Sequence, residues 1–362
     1  MADTVMMAVV GDCFPTDRFY ANGLPLTAGF DRTFQQIQAM DLRFGNFEPP
    51  LSERGTPAEK LAAIRSHPSV AQDFNRLNFD IVTLANNHVT DYGPDALADT
   101  IQIFDDLGVR HVGAGPTLDD AVAPAIIEHN GVRLGFIAFT CLAAPNARAT
   151  DGKPGVAAIR VHSGYEVDPL WEIEEPGEPL MVTIRTRADD TDTRFALARI
   201  ADLRSRVDFL CVSLHMGYGG ADELAEYQRP LSHAVIDAGA DAIFGNHTHA
   251  VQGIELYNGK PILYSPGTFI GRQEPFDTTT MSDSMLKIVA QLSPDGYVAQ
   301  LRVSKDGSSS LQLLPISVDD HGLPLLAEGE VADRIFARVR AHSAKLDTPV
   351  ELRDGRIVPT GT

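Results

Sequence analysis

The chain is short of basic residues: 30 lysines and arginines stand against 49 aspartates and glutamates, a formal net charge of −19 over 362 residues. That balance opposes non-specific binding to nucleic acid or to an anionic membrane surface. An anionic substrate needs a local cation to reverse the sign, and a bound metal ion supplies one. Cysteine is scarce too. Cys13, Cys141 and Cys211 are an odd count without CxxC spacing, which argues against a disulfide framework. Cys141 and Cys211 lie in apolar strand-like runs and read as buried thiols, so a reducing cytoplasm is the expected compartment. No apolar run approaches the ~20 residues of a membrane helix. The opening MADTVMMAVV has no basic n-region and runs into Gly11-Asp12, so it reads as a first core strand and not as a signal peptide. Repeats and low-complexity tracts are also lacking.

What is present is an alternation of short β-rich runs with helical patterns. VMMAVV (5–10) reads as a strand, DRTFQQIQAM (31–40) as a helix and LRFGN (42–46) as a strand. Residues 68–77 follow as a helix opened by Pro68, then DIVTLA (80–85) as a buried strand and 96–108 as a helix ending at Gly108. The alternation predicts an α/β fold of βαβ units on a largely parallel central sheet. Asn130-Gly131 and Asn258-Gly259 each join two β-rich runs and predict tight hairpins. Residues 162–192, acidic and proline-containing, read as an inserted excursion or lid. Helices at about 193–206 and 229–238 lead into strands at 208–214 and 241–245. After residue 285, LKIVAQL, YVAQLRV and LQLLPI alternate like antiparallel strands, and a helix at about 328–345 comes last. The expected organisation is a core over residues 1–285, with 286–362 packed on the same domain.

The polar residues fall in a telling place. Five strand-like runs end in groups suited to metal binding: Asp12, then Asn46 and Glu48, then Asn86, Asn87 and His88, then His215, then His247 and His249. In open α/β sheets ligands gather beyond the carboxyl ends of the strands, so parallel strands bring these loops together. Carboxylate, amide oxygen and imidazole suit zinc, manganese or iron. One carboxylate can bridge two such ions, and a bound ion activates water for hydrolysis. His247 and His249, two apart, share a face if their segment is extended. His88 can protonate a leaving group, and Asn46 is a second catalytic candidate. The other histidines (His67, His111, His129, His162, His233, His321 and His342) lack this placement and are read as structural.

The same pieces resemble the CapA family, named for poly-γ-glutamate capsule synthesis and related to the calcineurin-like metallophosphoesterases. GDCF (11–14), GNFEPPL (45–51), LANNHVTDYG (84–93), HVGAG (111–115), SLHMG (213–217) and residues 238–269 occur in family order. The resemblance implies a four-layered α/β/β/α sandwich with a metal site at the strand ends. It puts Asp12, Glu48, Asn87, His215, His247 and His249 at ligand positions, Glu48 as the bridge, and His88 as acid or transition-state stabiliser. Three departures surround the pocket. Phe14 stands where many such sites carry a histidine, Met216-Gly217 follows His215 in place of Trp-Gly with Gly219 for an acid, and Ser265-Pro266-Gly267-Thr268-Phe269 replaces SLGNF.

The expectation is therefore a metal-dependent hydrolase holding one or two divalent ions (zinc, manganese or iron) and cleaving a phosphoester or amide bond. Its substrate is small or medium and of anionic type, with Lys60, Arg65, Tyr218 and Arg229 as candidate binders. No nucleic-acid or membrane partner is expected; a homodimer is the base-rate state. Two other readings compete: a capsule accessory protein in poly-γ-glutamate synthesis or export, and a non-catalytic binding module on the same fold.

Overall fold

A computed structural model describes residues 3–60, 62–175, 182–219, 223–272, 281–282, 286, 290 and 292–360. The first half runs β1 (Thr4–Cys13), β2 (Tyr20–Ala21), β3 (Leu24–Pro25), α1 (Phe30–Gln38), β4 (Leu42–Phe47), α2 (Val70–Arg76), β5 (Ile81–Thr83) and α3 (Gly93–Leu107). It continues through β6 (Arg110–Val112), β7 (Ala114–Gly115), α4 (Leu118–Ala121), β8 (Ala125–His129), β9 (Val132–Thr140) and β10 (Gly155–Val156). Then come β11 (Val161–Val167), α5 (Pro169–Glu174), β12 (Val182–Ala188), α6 (Asp190–Arg204), β13 (Phe209–His215), α7 (Gln228–Asp237) and β14 (Ala242–Asn246). The last stretch is β15 (Ile254–Tyr257), β16 (Lys260–Leu263), β17 (Thr268–Ile270), β18 (Asp295–Ser304), β19 (Ser309–Val318), β20 (Pro324–Leu326), α8 (Glu330–Ala344), β21 (Val350–Arg353) and β22 (Arg356–Pro359).

The parallel strands divide between two large sheets, where the alternation alone predicted one central sheet. The first has the order β21-β22-β19-β18-β1-β4-β5-β6, with β17 beside β1 and β20 beside β19. The second has the order β15-β16-β14-β13-β9-β8. Strands β1, β4, β5 and β6 are parallel, as are β9, β13, β14 and β16. A strand buried on both faces reads as one continuous apolar run whichever sheet holds it, so periodicity cannot count sheets.

Alternation within those runs does fix what each face meets. Val5, Met7 and Val9 of β1 join Phe136 of β9, Phe209 of β13 and Phe244 of β14 in one cluster shared by the two sheets. Phe44 of β4 lies 5.9 Å from Phe136 and 5.2 Å from Phe244 between ring centroids. Ala8 and Val10 belong to a second cluster with side chains of α1, α2 and α3. Leu210, Val212 and Leu214 join a third with residues of α6 and α7.

Both predicted hairpins form. Asn130 and Gly131, and Asn258 and Gly259, all have positive φ (50° and 76°, 52° and 73°), as a tight reversal between right-twisted strands demands. Gly108 ends α3 in the left-handed region at φ 70°. Pro68, expected inside α2, stands two residues before it. The excursion is more regular than its sequence suggests: β11 and β12 pair antiparallel over seven residues around α5. YVAQLRV and LQLLPI fall in the antiparallel pair β18 and β19, and β18 lies directly against β1. Most of LKIVAQL lies outside the described residues. Among the described residues no helix is long and apolar enough to cross a membrane.

Candidate metal centre

The carboxyl ends of the two sheets meet. Asp12 near the end of β1 sits in register with Asn46 of β4, and Glu48 follows that strand immediately. His215 ends β13, in register with Asn246 at the end of β14. The backbone N–H of His247 donates to Asp12 Oδ2 at 3.0 Å, joining the sheets at the site. Close approach is built in at Gly11, where a Cβ would lie 1.9 Å from the Gly267 carbonyl oxygen, the group that receives the Asp12 N–H.

Asp12, Glu48 and His215 are all fully buried, and one ligand atom from each lies within 4.8 Å of the others. Asn46 is the hub that orients them. Its Nδ2 donates to Asp12 Oδ1 at 2.7 Å and lies 3.3 Å from both Glu48 Oε1 and His215 Nδ1, while its Oδ1 accepts from Asn86 Nδ2 at 3.2 Å. Asn87 Oδ1 meets His215 Nε2 at 2.7 Å. His249 Nε2 faces Glu48 Oε2 at 3.4 Å and Asp12 Oδ2 at 3.8 Å. The His247 ring lies 5.0 Å from that of His215, edge to face.

The two histidines after β14 do not share one face of an extended segment, as their spacing suggested. His247 has φ 106° and His249 φ 50°, both in the left-handed region that non-glycine residues rarely adopt. The bend they form is what turns both imidazoles toward the centre. Such backbone costs on the order of 1–3 kcal/mol per residue and persists only where the surroundings hold it.

Burial and mutual charge set the protonation. Burial, then the neighbouring Glu48, push the Asp12 carboxyl up to about 7. Burial alone would raise Glu48 as well, but the charge and hydrogen bond of His249, together with His88 and His215, outweigh it and hold Glu48 well below the ordinary carboxylate range. Burial opposes charge on His249, yet Glu48 and then Asp12 lift it to about 9. Burial and then His249 push His247 down to about 3; burial, then His247, keeps His215 neutral as well. Two neutral imidazoles beside two carboxylates are the donor set of a divalent transition ion. Glu48 Oε2 fits such a site too: it is buried and has the His249 imidazole 3.4 Å away.

His88 lies at the rim. Its Nδ1 meets Asp91 Oδ2 at 2.8 Å; Asp91, 2% exposed, also takes the Lys60 ammonium at 2.5 Å. Asp91 went unremarked in the sequence reading, although the His-x-x-Asp spacing was there to see. Lys60 also donates to the Asn87 carbonyl at 2.8 Å, so it belongs to the site's edge. The other candidate binders are placed differently. Arg65 lies 4.6 Å over the Tyr92 ring. Tyr218 is 45% exposed beyond Gly217. Arg229 pairs at 2.9 Å with buried Glu255, which also receives His233 and the Tyr264 hydroxyl.

Carboxylates, amides and imidazoles converging at the strand ends of an α/β protein, around a buried carboxylate, define a candidate metal-site protein. The chain belongs to the bacterial capsule synthesis protein family PGA_cap, whose profile matches residues 6–273. It is 28% identical to uncharacterized protein y4sH of Sinorhizobium fredii, over 98% of this chain and 92% of that one. It is 26% identical to the PGA biosynthesis protein CapA of Bacillus subtilis, over 88% of this chain and 73% of that one. A probable polyglutamine synthesis accessory protein of Mycobacterium tuberculosis is 29% identical, over 77% of this chain and 67% of the relative.

Proposed function

We propose that this chain is a metal-dependent hydrolase acting on a phosphoester or amide bond of a small or medium anionic substrate. The observation that carries the reading is Glu48: a fully buried carboxylate set between the imidazoles of His249, 3.4 Å from Oε2, and His215, 4.0 Å from Oε1. Asp12, Glu48, Asn87, His215, His247 and His249 would hold one or two ions of zinc, manganese or iron, with Glu48 shared. When bound, such an ion acidifies water and stabilises charge on the reacting oxygens. The chain's own contributions are then distinct. Asn46 orients Asp12, Glu48 and His215. Asp91 holds the His88 Nδ1, leaving Nε2 as the nitrogen to protonate a departing group. The three clusters that sandwich the two sheets support a layered α/β/β/α arrangement. Three buried thiols accord with a reducing, cytoplasmic setting.

A second reading, an accessory role in poly-γ-glutamate synthesis, is favoured by the names of the Bacillus subtilis and Mycobacterium tuberculosis relatives. Elemental analysis of chelator-free protein, beside the double variant His247→Ala/His249→Ala, tests the first. About one to two transition-metal ions per chain, lost in the variant, are expected; turnover of phosphoesters or γ-glutamyl amides must depend on them. No uptake of zinc, manganese or iron by the wild type would end the hydrolase reading and favour a binding role.

A further inference from the structure

A cavity of about 720 Å³ opens beside the metal centre and shares Asn87 with it. That volume lies in the range of small-molecule sites. Its charged lining is Lys60, Asp91 and Lys153. Lys60 and Asp91 cancel each other, with Nζ and Oδ1 2.5 Å apart. Lys153 is left over. Its ammonium donates to the Asn146 carbonyl oxygen, and among the described residues no carboxylate pairs with it. The backbone beneath is fixed, because Thr150 and Lys153 exchange both N–H···O bonds, at 3.0 and 3.2 Å. The wall also includes Leu97, Leu142 and Pro154.

One net positive charge in a cavity runs against the balance of a chain carrying −19. An ammonium facing a cavity without a counter-charge attracts an incoming anion. Of the other basic candidates, Arg229 is committed to Glu255 and Lys60 to Asp91, while Arg65, over the Tyr92 ring, does not line this cavity. We infer that Lys153 is the anion anchor of this cavity. It receives a carboxylate or phosphate of the substrate while the bond to be cleaved lies at the Asn87 end. The inference takes its direction from the hydrolase reading, and its binding readout is separate.

Calorimetric titration of full-length protein, both manganese-loaded and chelator-treated, with glutarate, phenyl phosphate and neutral glutaramide tests this. Lys153→Met is expected to weaken anion binding about tenfold or more, Lys153→Arg to restore most of it, and glutaramide to be indifferent. A response confined to glutarate assigns a carboxylate ligand; one confined to phenyl phosphate assigns a phosphate. Anion affinity unchanged in folded Lys153→Met, or no anion binding by the wild type, overturns the anchor. Lys153-dependent binding in a protein that takes up none of zinc, manganese or iron would sink the hydrolase reading and leave the anchor. Manganese uptake with Lys153-independent binding would do the reverse.

Discussion

Phe14 stacks on the imidazole of His249, with ring centroids 4.6 Å apart and planes inclined by 29°. An apolar residue thus fixes the plane of a proposed ligand whose own backbone is strained. Phe14→Leu keeps the apolar burial and removes the stack. It should cost about 1 kcal/mol in stability and loosen metal retention measurably, while circular dichroism stays that of the wild type. Unchanged metal affinity would show that the stack does not position His249.

Glu48 is the group on which the charges of the centre balance. In the metal-free protein, Glu48→Gln should lower the His249 pKa by more than about one unit from about 9, because burial then acts against the imidazolium with only Asp12 to oppose it. Histidine-resolved NMR titration reads this directly. The same variant should lose its bound metal, and retention of the full complement would remove Glu48 from the ligand set.

His249 also ties metal loading to protons. Near pH 7.5 it is protonated, and a cation accepts only the neutral ring, so loading should release about one proton per chain. Calorimetry in buffers of different ionisation enthalpy measures the number. In the metal-free state the folded pKa of about 9 exceeds the ordinary 6.5. The stabilisation from this pair is therefore fully present below pH 6.5 and is lost as pH rises through 9. His249→Ala should flatten that part of the stability–pH curve; parallel curves would refute the linkage.

Away from the centre, Glu255 gathers Arg229, His233 and Tyr264 on one buried carboxylate. Glu255→Ala should destabilise the protein by about 2 to 3 kcal/mol, chiefly by stranding the Tyr264 hydroxyl. Metal content measured at a permissive temperature should not change. A selective loss of metal instead would connect this cluster to the site.

Much of the site was legible because ligand chemistry is written in residue type and position. Asp12, Glu48, Asn87, His215, His247 and His249 each follow or end a strand-like run, and strand ends are where such folds collect ligands. The spacing of His247 and His249 misled on one point, since alternation implies a shared face only in extended backbone, and theirs is left-handed. Asp91 was missed as a partner of His88 because the His-x-x-Asp spacing does not by itself say that the carboxylate is buried against the imidazole. Lys153 was invisible for a different reason. Its significance lies in the lack of a counter-charge, which is a property of neighbours distant in the chain.

By itself the sequence determined the local order of the molecule: which runs are strands and helices, where Asn-Gly pairs reverse the chain, and which loops carry donors. Local propensity and burial patterning act over a few residues and survive without knowledge of the whole. Tertiary structure alone decided which strands go to which of the two sheets, and that the His247 backbone N–H would bond the Asp12 carboxylate across 235 positions. It also decided that Glu48 would be buried between the imidazoles of His215 and His249. Those outcomes depend on packing two doubly buried sheets against each other, and an apolar run does not record which neighbour will cover it.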